Sequence, residues 1–155
     1  MIFAAGLGTR LRPLTDNMPK ALVPVAGKTM LERVILKLKD AGFHDITINI
    51  HHFGSQIIDF LRANQNFGVD IHISDERGEL LDTGGGIKKA RPLLESNEPF
   101  LIHNADILTD VDLNAFYHHH LESNADATLL TNHRKTSRYL LMDQDNRLCG
   151  WTNLS

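Results

Sequence analysis

The chain is poor in cysteine. Cys149 is the one thiol in 155 residues, so no internal disulfide forms and a reducing compartment suits the chain. It also lacks any apolar run near the ~20 residues of a membrane span, and no basic-apolar-small segment marks a secretory leader. A cytoplasmic protein with no membrane partner is the expectation. Positive charge is not in excess either: the formal net charge is -3. A non-specific nucleic-acid binder needs a clustered cationic face, so no nucleic-acid partner is expected. Repeats, low-complexity tracts and linkers are absent too. What is present is 42% hydrophobic and 23% charged residues, enough at this length to bury one core without staples.

Short apolar runs alternate with helix-spaced stretches. Strands are predicted at Met1–Ala5, Ile46–Ile50, Val69–Ile73, Phe100–His103 and Ala127–Thr131, and as a pair at Tyr139–Asp143 and Arg147–Trp151. Helices are predicted at Thr29–Ala41, with Met30, Val34, Leu38 and Ala41 on one stripe and Gly42 as its stop, and at Ser55–Asn64. Two more are predicted at Gly85–Leu94, after a glycine run, and at Asp112–Ser123, with Asp112 as cap. Strands alternating with helices give crossover units, hence an α/β, Rossmann-like domain with a mainly parallel sheet. The turn-forming Asp143-Gln144-Asp145-Asn146 makes the C-terminal part a hairpin. A single domain over residues 1–155 is expected, one that stops in mid-structure and lacks a residue or two upstream of Met1.

The first loop carries the chemistry. Met1–Ala5 runs into Gly6-Leu7-Gly8-Thr9-Arg10-Leu11-Arg12-Pro13, and ligands of open α/β sheets bind at the carboxyl ends of strands. Gly6 and Gly8 allow backbone N–H groups to approach phosphate oxygens, and Arg10 and Arg12 supply charge. A plain turn is the competing reading of the glycines alone. The dinucleotide fingerprint fails, because Leu11 stands where its third glycine belongs and Pro13 stops a helix from continuing at once. The phosphate-loop lysine pattern is absent. Lys20 sits between Pro19 and Pro24 in an apolar segment, which reads either as a stiffly held cation or as a surface lysine. Further on, Phe100-Leu101-Ile102-His103-Asn104-Ala105-Asp106 reads as an apolar strand ending in a carboxylate, a hard oxygen ligand of the kind Mg2+ takes.

The pattern Ala4-Ala5-Gly6-x-Gly8-Thr9-Arg10-x-x-Pro13-Leu14-Thr15, then Pro19-Lys20 and Pro24-Val25-Ala26-Gly27-Lys28, resembles the opening of the sugar-1-phosphate nucleotidyltransferases. Within that family it is most similar to the N-acetylmuramate-1-phosphate uridylyltransferase and mannose-1-phosphate guanylyltransferase-like group. The resemblance implies a nucleotide-diphospho-sugar transferase fold. It implies transfer from a nucleoside triphosphate to a sugar 1-phosphate, with Mg2+ as cofactor. Arg10, Lys20 and Asp106 then become the catalytic residues, with Asp106 the metal ligand. Ala5, Gly6, Gly8, Thr9, Arg10 and Lys20 become nucleotide contacts, joined at the base by Thr83, Gly84 and Gly85. Asn104 matches a family contact to the sugar phosphate, and Arg138 is a candidate contact to the sugar. Ala105 departs from the family, which usually has glycine there. Uridine is favoured as the base, with guanosine next.

Other features invite less. Successive helix residues point ~100° apart, so His118-His119-His120 cannot converge on one ion and reads as solvated surface. His51 and His52 sit at a strand end, where capping or packing outweighs ligand contact, and Asn49 is uncommitted. Cys149 has no partner that would assign it a role. A non-catalytic nucleotide-sugar sensor and a phosphocholine cytidylyltransferase-like enzyme remain alternatives. The latter wants an aromatic cage, for which 6% aromatics offer little.

Overall fold

The computed structural model describes residues 1–154, which fall into two compact units, Met1–Asn124 and a second beginning at Ala125. Among the described residues no helix is long and apolar enough to cross a membrane.

The first unit opens with β1 (Ile2–Phe3), followed by a single 3-10 turn at Thr9–Leu11 and another at Lys20–Leu22. A small antiparallel hairpin comes next, β2 (Pro24–Val25) with β3 (Lys28–Thr29). Its two central residues, Ala26 and Gly27, both have positive φ, 47° and 81°, the pairing that suits a tight two-residue hairpin. Then follow α1 (Met30–Asp40), β4 (Asp45–Ile50), α2 (Gly54–Ala63), β5 (Asp70–Asp75), α3 (Asp82–Leu94), β6 (His103–Asn104) and α4 (Leu113–Glu122). The four-stranded sheet has the order β5-β4-β1-β6, and every pairing in it is parallel. The parallel α/β expectation therefore holds.

The core explains the order. β4 is buried from Ile46 to Ile50, as a strand covered on both faces must be. Ile2, Ile46, Ile48 and Ile50 meet Leu31 and Ile35 of α1 and Ile57 of α2, all at most 1% exposed. Each such side chain contributes roughly 1.5–3 kcal/mol by leaving water. Helix α1 starts because Thr29 accepts a hydrogen bond from the Glu32 amide at 3.1 Å, and it stops at Gly42, whose φ is 86°. Its buried stripe is Leu31, Val34, Ile35 and Leu38, which shares Val34 and Leu38 with the predicted one; Met30 and Ala41 are only half-buried. Asp112 caps α4 as expected, its Oδ1 accepting from the amides of Asn114 and Ala115.

Two predicted strands are shorter than the sequence suggests. The ladder of β1 ends at Phe3 because the Ala4 amide turns to the side chain of Asn49 rather than to a neighbouring strand. On the other edge, Phe100–His103 shrinks to a ladder at His103–Asn104, in register with Ile2 and Phe3.

The second unit contains β7 (Arg138–Met142) and β8 (Leu148–Asn153), the predicted antiparallel hairpin. Asp143 closes its turn: Oδ1 accepts from the amides of Asp145 at 2.9 Å and Arg147 at 2.8 Å. The strand expected at Ala127–Thr131 is not formed; among the described residues that segment joins no ladder. Its apolar run makes it able to be a strand, but a strand exists only where a neighbour offers its backbone, and β7 is paired to β8.

Candidate active site

The site grows from the middle of the sheet. β1 lies between β4 and β6, and the chain leaves the sheet after Phe3 to form the first loop. Gly8 turns that loop with φ of 67°; a Cβ there would stand 3.0 Å from Thr15 Cγ2 and 3.1 Å from Lys20 Cβ. The carbonyl of Gly8 accepts from the Leu11 amide at 2.9 Å and from the Thr15 hydroxyl at 2.8 Å, which fixes the 3-10 turn carrying Arg10. Lys20 begins the next 3-10 turn, directly after the buried Pro19, and its ammonium is ion-paired to Asp106 Oδ2.

Asp106 follows β6, where the Ala105 amide donates to the Phe3 carbonyl at 3.0 Å. Ala105 is not among the residues with positive φ, so the alanine in place of the family's glycine strains nothing. Lys20 and Asp106 are 86 residues apart in sequence and are brought together by the adjacency of β1 and β6.

A cleft of about 430 Å³ opens here. Of the predicted site residues, Ala5, Gly6, Gly8, Thr9, Arg10, Lys20, Thr83, Asn104 and Asp106 all line it. Arg10 is exposed and makes no ion pair with the described residues. Gly84 and Gly85 do not line the cleft; they stand one and two residues past Thr83 in the first turns of α3. The glycine run is thus not a loop before a helix that begins at Gly85. The helix starts at Asp82 and includes all three glycines, which leaves unpaired amide groups in its first turn. Arg138 lies on β7, in the second unit, exposed.

Two further residues line the cleft: Asn49, which the sequence left uncommitted, and Glu76, which it did not mark. Both are buried, Asn49 2% and Glu76 0% exposed. Glu76 Oε1 accepts from Asn49 Nδ2 at 2.8 Å, while its Oε2 is buried without a hydrogen-bond partner. The available signal was an amide side chain inside the run Ile46-Thr47-Ile48-Asn49-Ile50, whose isoleucines mark it as a buried strand. His51 hydrogen-bonds backbone, its Nδ1 lying 2.7 Å from the Glu76 carbonyl. His103 is buried beside the site, and burial lowers its pKa below the usual imidazole value, only partly opposed by its contact to the Asn104 carbonyl.

Among the described residues no three His, Cys, Asp or Glu side chains gather into a metal cage. A partly exposed carboxylate, Asp106, beside open cleft space nevertheless suits Mg2+, which is commonly bound by one or two carboxylates together with substrate phosphates.

Residues 1–148 match the family described as nucleotidyl transferase. The chain is 48% identical over 117 residues to an N-acetylmuramate alpha-1-phosphate uridylyltransferase of Neisseria meningitidis, covering 76% of this chain and 50% of that protein. It is 34% identical to a mannose-1-phosphate guanyltransferase of Yarrowia lipolytica, covering 90% of this chain and 39% of the relative. The chain therefore spans half the length of these relatives or less. Among solved structures it is similar to HddC from Yersinia pseudotuberculosis complexed with GMP-PN, with a TM-score of 0.77 and 25% identity, over 98% of this chain and 67% of that one.

Proposed function

Since this chain belongs to the nucleotidyl transferase family, we propose that its cleft takes a nucleoside triphosphate, UTP by preference, and transfers the nucleotidyl group to a sugar 1-phosphate. The observation that carries this reading is the convergence of Arg10, Lys20 and Asp106, from three separate segments, on one cleft at the carboxyl ends of β1 and β6. UTP is favoured over GTP because the uridylyltransferase relative is the more similar of the two.

A phosphate oxygen of the sugar 1-phosphate attacks the α-phosphorus in line. The bond to the bridging oxygen breaks and pyrophosphate leaves. That nucleophile is anionic at neutral pH, so no general base is required, and the protein's part is positioning and charge neutralisation. Backbone amides of the Ala5–Thr9 loop hold phosphate oxygens, and the free guanidinium of Arg10 grips the departing β- and γ-phosphates. Lys20 balances charge on the α-phosphoryl group. At the start of α3 it is Thr83 that lines the cleft and faces the base, not Gly84 or Gly85, and Asn104 faces the sugar phosphate. Asp106 is the residue that would hold Mg2+, which when bound neutralises charge on phosphate oxygens.

A binding-only sensor has no need of Arg10, Lys20 and Asp106 together, which favours the transferase. The match over residues 1–148 supports one nucleotidyltransferase domain that runs through β7 and reaches the first residue of β8. The test is pyrophosphate release with Mg2+, using a panel of nucleoside triphosphates against sugar 1-phosphates. Turnover with UTP and a sugar 1-phosphate supports the proposal; binding of nucleotide without product from any pair, in this chain and in a longer version, would leave the sensor.

A further inference from the structure

The cleft has two walls that no backbone ladder joins: the first loop, leaving β1, and the glycine-bearing start of α3. One side chain reaches both. Asn49, on β4, accepts a hydrogen bond at Oδ1 from the Ala4 amide at 2.8 Å, at the point where β1 gives way to the loop. Through Nδ2 it donates to Glu76 Oε1 at 2.8 Å, just past the end of β5. Gly86 of α3 lies directly on that pair, since a Cβ at Gly86 would stand 2.9 Å from Glu76 Oε1 and 3.1 Å from Asn49 Nδ2.

We infer that Asn49 is a positioning residue: its amide couples the first loop to the seat of α3 and so sets the separation of the two cleft walls. The inference rests on the nucleotide reading of the cleft. The chemistry demands an amide. A backbone N–H requires an acceptor and a carboxylate requires a donor, and an asparagine side chain supplies one of each at the correct spacing. The orientation of the amide is dictated by its two partners.

That polarity can be reversed, and the reversal is the experiment. In Glu76→Gln the new amide turns its oxygen toward Asn49 Nδ2, so the coupling survives and a buried charge is removed. In Asn49→Asp two carboxylates face each other without a donor between them, and the coupling is lost. In the double variant Asn49→Asp/Glu76→Gln the glutamine donates to the aspartate, which still accepts from the Ala4 amide, and the coupling returns with its polarity reversed. Two quantities are measured on all four proteins: UTP affinity in the presence of Mg2+ by calorimetry, and hydrogen exchange of the Ala4 amide without nucleotide.

Glu76→Gln should keep the Ala4 amide as protected as in the parent, its Oε1 still accepting from Asn49. Asn49→Asp should bind ~10-fold or more weakly, the scale of one buried polar group left unsatisfied, and exchange its Ala4 amide faster, because repulsion from the Glu76 carboxylate pushes the aspartate off that amide. The double variant should recover both. An Asn49→Asp protein that keeps parental affinity and Ala4 protection overturns the inference. So does a double variant that fails to recover, whether folded or not. If the parent itself does not bind UTP, the nucleotide reading falls, while Ala4 exchange across the four proteins still judges the coupling.

Discussion

Replacing Gly86 with alanine tests the packing of the cleft floor with a single methyl group. Two effects oppose each other. Inside a helix, alanine is more favourable than glycine by roughly 1 kcal/mol. Against that, the new Cβ would lie 2.9 Å from Oε1 of a glutamate that is itself 0% exposed, so the side chain it meets has nowhere to retreat. Overfilling a close-packed site costs about 1–3 kcal/mol. Gly84, two residues earlier in the same helix, is the control, since a Cβ there meets nothing within 4 Å. The Gly84→Ala variant gains at most the intrinsic term, and the gap between the two alanine proteins isolates the clash, about 1–3 kcal/mol. For a domain of this size each kcal/mol moves the midpoint by roughly 2–4 °C. Thermal unfolding followed by circular dichroism should place Gly86→Ala at least ~2 °C below Gly84→Ala. Equal midpoints, or a Gly86→Ala protein more stable than Gly84→Ala, would refute the view that helix α3 rests directly on the Asn49–Glu76 pair.

Further outcomes follow from the same structure. Arg10→Ala or Lys20→Ala should lower the rate of pyrophosphate release by ~10²–10³, the usual scale for one lost electrostatic contact at a reacting centre, and parental turnover in either would remove its assigned role. Thr29→Ala removes the side chain that caps α1 and should cost ~1 kcal/mol in urea unfolding, with no loss if the cap carries no energy. Ile48→Ala, in the fully buried centre of β4, should cost about 2–5 kcal/mol by the same measurement. Burial holds the His103 pKa below its unfolded value of ~6.5, so the unfolded chain binds the extra proton first. The stability this histidine contributes is complete above that value and falls as acid brings the pH below it. A His103→Gln protein should show a flatter decline in midpoint between neutral pH and pH ~5, and an unchanged slope would show that the imidazole plays no part.

What could be read in advance follows from where the physics is local. The stop at Gly42, the cap at Asp112 and the turn at Asp143 depend on neighbours a few residues away, and each forms as its sequence suggests. The parallel sheet was legible because strands alternate with helix-spaced stretches, so each strand returns to the sheet through a crossover. Ala127–Thr131 was misread because apolarity says nothing about whether a partner backbone is at hand. The start of α3 was misread for a related reason: three glycines suggest a loop, yet Asp82, with φ of 55°, makes the turn and the glycines are carried into the helix. Within the cleft, Gly8, Arg10, Lys20 and Asp106 were marked by the resemblance of the first-loop pattern to the sugar-1-phosphate nucleotidyltransferases, not by residue type alone. Asn49 and Glu76 were not, because their meaning lies in a contact across 27 residues of sequence.

The ion pair between Lys20 and Asp106 also orders events during synthesis. The strand made first is flanked in the finished sheet by β4 and β6, and β6 is the last of the four to leave the ribosome. Until Asp106 has emerged, Lys20 lacks its carboxylate, and β1 waits with one edge open. The binding cleft is therefore absent from every shorter nascent chain: it comes into being with the closing of the sheet, and a chain cut before β6 would carry the glycine loop without a pocket around it.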